Sequence, residues 1–214
     1  FLGGQYEILA RGAGATGLGK PLICFFHGTA PPEIYTASIS PAGLRCAAEV
    51  ADGVFPMMLD PEKFDVAYLP YLEEGFAAAG NGKSLANFAV VPGVSVIVTD
   101  EPEKARMAVK GGMALYIGGM GARGKNFYND LAKRLGYEAA AVRIQDLFLA
   151  GKKLEAAAAV PDELLDAVHL IGSADRIRGR LAAWKEAGRK GWVHTMQIAT
   201  AQPAALELLA EELL

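Results

Sequence analysis

The sequence predicts an α/β protein built on parallel strands, and three observations carry that reading. β-prone runs alternate with stretches of helical periodicity. The runs hand over to helices through Ser40-Pro41, Asp60-Pro61 and Asp100, residues suited to caps and first turns. The third run, VSVIVT at 94–99, is β-branched at nearly every position, as a strand covered on both faces is. The order βαβα, a long helical insertion, then βα fits a small open sheet and equally half of an eight-stranded (β/α) barrel, which takes ~250 residues or more. Periodicity alone does not separate the two.

Taken in order, residues 1–33 read as an irregular, glycine-rich stretch. The run IYTASIS, from Ile34 to Ser40, is the first strand. AGLRCAAEVA follows as a helix, with Leu44, Ala47, Ala48 and Ala51 on one face and Asp52-Gly53 as its stop. VFPMML is a second strand, and Asp60-Pro61 opens a helix toward Ala79 in which Pro70 predicts a kink. Gly80-Asn81-Gly82 turns into the third strand, and Asp100 opens the insertion. The insertion runs from about Glu101 to Gly188 and is mostly helical, interrupted at 118–124, at Val160-Pro161 and at Gly172-Ser173. Trp192 to Ala199 is the fourth strand, and Gln202-Pro203 starts a closing helix.

Composition narrows the class. The chain has 214 residues, 52% hydrophobic and 21% charged, which fits one globular domain over 1–214 with ample core. A net charge of -3 gives no electrostatic reason to expect nucleic acid. No apolar run reaches the ~18–20 residues of a membrane span, and the start FLGGQYEI lacks the layout of a signal peptide, so no membrane partner and a cytoplasmic location are expected. Cys24 and Cys46 match no metal spacing and suit a reducing compartment. Residue 1 is Phe, so a processed product, a trimmed chain or an incomplete reading frame is expected.

Two glycine motifs mislead. GATGLGK at 14–20 matches the core of a phosphate-binding loop, but Pro21 stands where that loop needs a hydroxyl, and Gly12, Gly14 and Gly17 are not followed by a helix. A surface loop is the better reading. The segment Ala37-Ser38-Ile39-Ser40-Pro41-Ala42-Gly43 is better placed, since a strand feeding a helix presents free N–H groups and the positive end of a dipole. Ser38 and Ser40 add hydroxyls, and Gly43 admits a ligand to the first turn. That makes a phosphate site, with plain helix capping as the competing explanation. Gly118 to Tyr128, carrying Arg123 and Lys125, reads as a lid or as a solvated turn. His27, His169 and His194 assemble no triad or metal set, so no metal is expected. His169 reads as packing or surface, and His194 as a satisfied core histidine.

These residues resemble the luciferase-like monooxygenase superfamily, in its branch that uses the deazaflavin coenzyme F420. IYTASISPAGLRCAAEVADGVFPMMLDPEKF is similar to the fifth strand, fifth helix and sixth strand of those barrels, and the A-A-E-x-A-D-G and V-P-D-E-L segments recur there. The resemblance implies the C-terminal half of a (β/α)8 TIM barrel, strands five to eight, with a helical insertion before the last strand. It implies an oxidoreductase passing a hydride between F420 and a small organic substrate, with the cofactor phosphate at Ser38, Ile39, Ser40 and Gly43. FMN is the alternative cofactor, and a non-catalytic fragment or partner subunit the alternative role. The family's first four strands have no counterpart here, so the catalytic residues are left unknown. Met57, Met58 and Met120 are candidate apolar lining. Half a barrel leaves strand edges near Ile34 to Ser40 and Trp192 to Ala199, so association into a homo-oligomer is expected.

Overall fold

The computed structural model describes residues 13–15, 28 and 30–214. The chain parts into two compact units, Phe1–Pro32 and Glu33–Leu214, and the second carries every element named below. Most of the glycine-rich stretch of residues 12–20, and His27, lie outside the described residues.

Strand β1 (Tyr35–Thr36) is shorter than the expected run, because the chain leaves the ladder to build the turn that caps helix α1 (Pro41–Val50). Ser40 is extended, with φ -78° and ψ 152°, and its Oγ accepts from the Gly43 N–H at 3.1 Å. Pro41 occupies the first turn, where a missing N–H costs nothing. Leu44, Ala47 and Ala48 form the buried face of α1, at the expected helical spacing. They pack on helix α3 (Leu69–Ala79). Gly75 permits the close approach, since a Cβ there would lie 2.3 Å from the Arg45 carbonyl oxygen.

Strand β2 (Gly53–Val54) pairs in parallel with β1, Tyr35 facing Gly53. The helix expected at Asp60-Pro61 begins later. The Asp60 carboxylate accepts from the Glu62 N–H at 2.9 Å and makes a turn of its own. Helix α2 (Phe64–Ala67) then ends at Tyr68, whose φ/ψ of -131° and -49° break the path before α3. Pro70 therefore sits in the first turn of a new helix and kinks none.

The third expected strand, 94–99, is β4 (Gly93–Val98), and sequence reading misses the short β3 (Ala89–Val90) ahead of it on the same path, separated from β4 at Val91-Pro92. β3 pairs with β2, and β4 with strand β6 (Gln197–Ala199), all in parallel. Sequence reading misses strand β5 (Leu170–Gly172), which lies parallel to β4 from Val96 to Val98. The LIG run is too short to stand out between helices, and its Gly172-Ser173 reads as a helix break. β6 is only the end of the expected 192–199 strand. The Trp192 N–H closes helix α9 (Ala174–Arg189) on the Ala187 carbonyl, and the Trp192 ring stacks on Phe64 with centroids 5.4 Å apart. Helix α10 (Pro203–Leu213) covers β4.

The insertion contains α4 (Pro102–Ala114), α5 (Phe127–Arg134), α6 (Glu138–Leu149), α7 (Lys153–Ala158) and α8 (Asp162–Val168). Arg106 on α4, 6% exposed, binds Asp162 at 2.7 Å and Asp166 at 2.5 Å, tying α4 to α8. After α4 the helix widens into a π turn at Leu115–Gly119. Its carbonyls are taken by two buried amides. Asn126 Nδ2 donates to Tyr116 and Ile117 oxygens, both at 3.0 Å, and Asn129 Nδ2 donates to Ile117 at 3.0 Å and Ala141 at 2.7 Å. Asn126 Oδ1 also caps α5 by accepting from the Tyr128 and Asn129 N–H groups.

Asn126→Ala removes a cap and takes the side-chain donor from the Tyr116 carbonyl, while Ile117 keeps Asn129, so it is expected to lower stability by about 2 kcal/mol in urea unfolding. An effect below about 1 kcal/mol would show that the π turn holds without this amide.

Candidate functional site

The sequence-predicted residues Ser38, Ile39, Ser40 and Gly43 do come together. They form the turn from the C-terminal end of β1 into the first turn of α1. A Cβ built on Gly43 would lie 3.0 Å from Ser40 Oγ and 3.1 Å from Ser38 Oγ, so both hydroxyls converge on the bare glycine at the positive end of the helix. Ser40 Oγ accepts from Gly43 N–H and keeps its own proton to donate. Ser38 Oγ has no partner among the described residues. Ile39, 9% exposed, anchors the turn in the core.

Arg134, which sequence reading misses, completes this corner. Its guanidinium donates to the Ile39 carbonyl at 2.5 Å and lies over the Tyr71 ring at 5.6 Å. A cation from α5 thus stands beside a turn 95 residues earlier in the chain. Nothing local in the sequence marks that pairing.

The expected lid is a tied turn. Arg123 is engaged with Asp146 at 2.8 Å, and Asn126 fastens the end of the segment to the π turn. His194 is satisfied at both ring nitrogens but is exposed and not in the core as expected, because its partners are backbone groups at the sheet's end: Nδ1 accepts from the Val90 N–H at 3.2 Å and Nε2 lies 2.9 Å from the Leu85 oxygen.

His169 is more than packing. Its Nδ1 accepts from the Ser95 N–H at 3.2 Å, and it borders a cleft shared with Met57 and Met58 but not with Met120. Burial pushes its pKa down from 6.5 to about 4, so the imidazole is neutral near pH 7. Met58 has φ 52°, the left-handed conformation, and its carbonyl accepts from the buried Tyr68 hydroxyl at 2.9 Å. Among the described residues, no group of three or more His, Cys, Asp or Glu side chains is arranged to hold a metal ion. No described helix is long and apolar enough to cross a membrane.

Parallel strands, helical crossovers and a glycine-bearing turn at a strand's C-terminal end define a class that comparison with known proteins makes specific. The luciferase-like monooxygenase family profile matches residues 14–191, and the chain belongs to that family. It is 36% identical over 203 residues to a Mycobacterium tuberculosis protein described as a coenzyme F420-dependent oxidoreductase, covering 94% of this chain and 57% of that protein. It is 27% identical over 186 residues to the 5,10-methylenetetrahydromethanopterin reductase of Archaeoglobus fulgidus, covering 85% of this chain and 53% of the reductase. The chain therefore spans little more than half the length of these relatives. In structure it superposes on the coenzyme F420-dependent tetrahydromethanopterin reductase of Methanopyrus kandleri with a TM-score of 0.60 at 24% identity, covering 84% of this chain and 49% of the reductase. An F420-dependent secondary alcohol dehydrogenase gives 0.56 at 14% identity, covering 88% and 50%. These likenesses establish the fold as part of a luciferase-like barrel.

The depressed pKa of His169 has a thermodynamic consequence. Between pH 6.5 and about 4 the unfolded chain binds a proton that the folded imidazole refuses, so stability is full above that window and falls as pH drops through it. The loss amounts to roughly 3 kcal/mol once pH reaches the folded value. The unfolding free energy of the wild type, relative to His169→Asn, is expected to decline by about that amount between pH 7 and pH 4. A constant difference across that range would mean that His169 titrates normally.

Proposed function

We propose that this chain provides the C-terminal part of an F420-dependent oxidoreductase that passes a hydride between the deazaflavin and a small organic molecule. The observation that carries the reading is the cradle at Gly43, where two serine hydroxyls and a helix N-terminus leave room for no side chain. Such a cradle suits a phosphate oxygen. The family membership and the names of the relatives point to which phosphate it is.

In this reading Ser38 and Ser40 donate hydroxyl hydrogen bonds to the cofactor phosphate, and Gly43 lets it approach the first turn of α1. Arg134 holds the Ile39 carbonyl, so the turn is fixed before the cofactor arrives, and its charge favours an anion nearby. F420, when bound, supplies the hydride chemistry, while the protein supplies position and electrostatics. The strands that would precede β1 in the longer relatives are the place to look for groups that handle protons. The complete enzyme acts on a small-molecule substrate, and this part of the barrel by itself leaves strand edges open to pairing with another copy of the chain.

The test is titration of the full chain with F420, followed by absorbance. Gly43→Val places a β-branched side chain against both hydroxyls and is expected to weaken binding at least 10-fold, while Ser40→Ala is expected to weaken it about 5-fold. Equal affinity in both variants, or preference for FMN over F420 in the wild type, would overturn this assignment.

A further inference from the structure

A cleft of about 270 Å³ opens beyond β2 and is lined by none of the residues of the Ser38–Gly43 turn. Its walls include Met57, Met58, Ser95, Met113, Tyr116 and His169, and no Lys, Arg, Asp or Glu among the described residues lines it. Ligand pockets commonly begin near ~300 Å³, so this space suits a small molecule or one end of a larger one.

The polar group in this apolar setting is fixed in its role. Ser95 N–H donates to His169 Nδ1, so in the neutral ring the proton resides on Nε2. With Nδ1 turned to the strand, the opposite edge of the ring borders the cleft, and no described residue accepts from Nε2. The wall facing it is held under strain. Met58 keeps its left-handed backbone because the Tyr68 hydroxyl holds its carbonyl, and strain of this kind collects at binding sites.

We propose that this cleft binds the apolar end of a neutral organic molecule through a carbonyl or hydroxyl oxygen that accepts from His169 Nε2–H. A carboxylate is disfavoured, because neutral donors with no cation among the described residues cannot repay the desolvation of a charge. A pure hydrocarbon is disfavoured too, since it would strip water from Nε2–H and leave the donor unpaired. His169 is thus a specificity-determining group. That the ligand is the oxidoreductase substrate rests on the proposed function; that the cleft binds it does not.

The experiment uses the full chain labelled with ¹³C at its methionine methyls and titrated with cyclohexanone, then with cyclohexanecarboxylate. Cyclohexanone is expected to shift the Met57, Met58 and Met113 methyls saturably and to leave Met107, which lies on a different surface, unmoved. Cyclohexanecarboxylate is expected to bind at least 10-fold more weakly. His169→Asn keeps an acceptor for the Ser95 N–H but has no group at the Nε2 position, and it is expected to weaken cyclohexanone binding about 5-fold or more. Unmoved methyls, equal binding of the carboxylate, or unchanged affinity in H169N would each overturn the proposal. The same titration in Gly43→Val should match the wild type, so failure of F420 binding and failure of this cleft are read separately.

Discussion

The backbone of the path from Ala89 to Val98 must be satisfied along its whole length, and the strands beside it are too short to do so. β2 ends at Val54, so beyond Val91 one edge has no strand until β5 arrives at Val96. On the other edge β6 pairs only with Gly93 to Ser95. Side chains fill the gaps. His194 Nδ1 accepts from Val90, His169 Nδ1 accepts from Ser95, and the Gln202 amide both accepts from the Val98 N–H at 2.9 Å and donates to its carbonyl at 3.2 Å. An unpaired amide in this setting would cost about 1–3 kcal/mol, so these three residues stand in for missing ladder. The same demand fixes the chemistry of His169, because an imidazole that accepts at Nδ1 can only be neutral.

The functional features share an end of the fold for a related reason. Ser38 to Gly43 follow β1, and Met57 and Met58 follow β2, so in a parallel sheet both lie beyond carboxyl ends of strands. Loops there are free to vary while the ladder behind them is held. The turn gathers two serine hydroxyls at a helix N-terminus, and the cleft is walled by Met57, Met58 and Met113 together with Ser95, Tyr116 and His169. Under the proposed function, these two places of unlike polarity suit a charged cofactor and an uncharged reactant.

What the sequence made legible follows from locality. The turn from β1 into α1 was readable because Ser38, Ser40 and Gly43 lie within six residues, and a β-prone run, a Ser-Pro cap and an apolar 3-4 spacing act within one turn of each other. Arg134 was not readable, since its partner Ile39 is 95 residues away and only packing brings them together. His169 looked inert because its partner is a backbone N–H, which leaves no trace in a residue pattern. β5 escaped because three apolar residues between helices carry no period. The fourth strand was overread because Trp192 is as β-prone as its neighbours but is drawn onto Phe64 and the end of α9.

Amide hydrogen exchange resolved at single residues tests this account most directly. If side chains complete the central path, the amides of Val90, Ser95 and Val98 exchange nearly as slowly as those of Val91 and Thr99, which donate to the Val54 and Gly172 carbonyls at 2.9 Å. Exchange of the three at the rate of an exposed loop amide would contradict it, and with it the fixed, neutral imidazole on which the cleft depends.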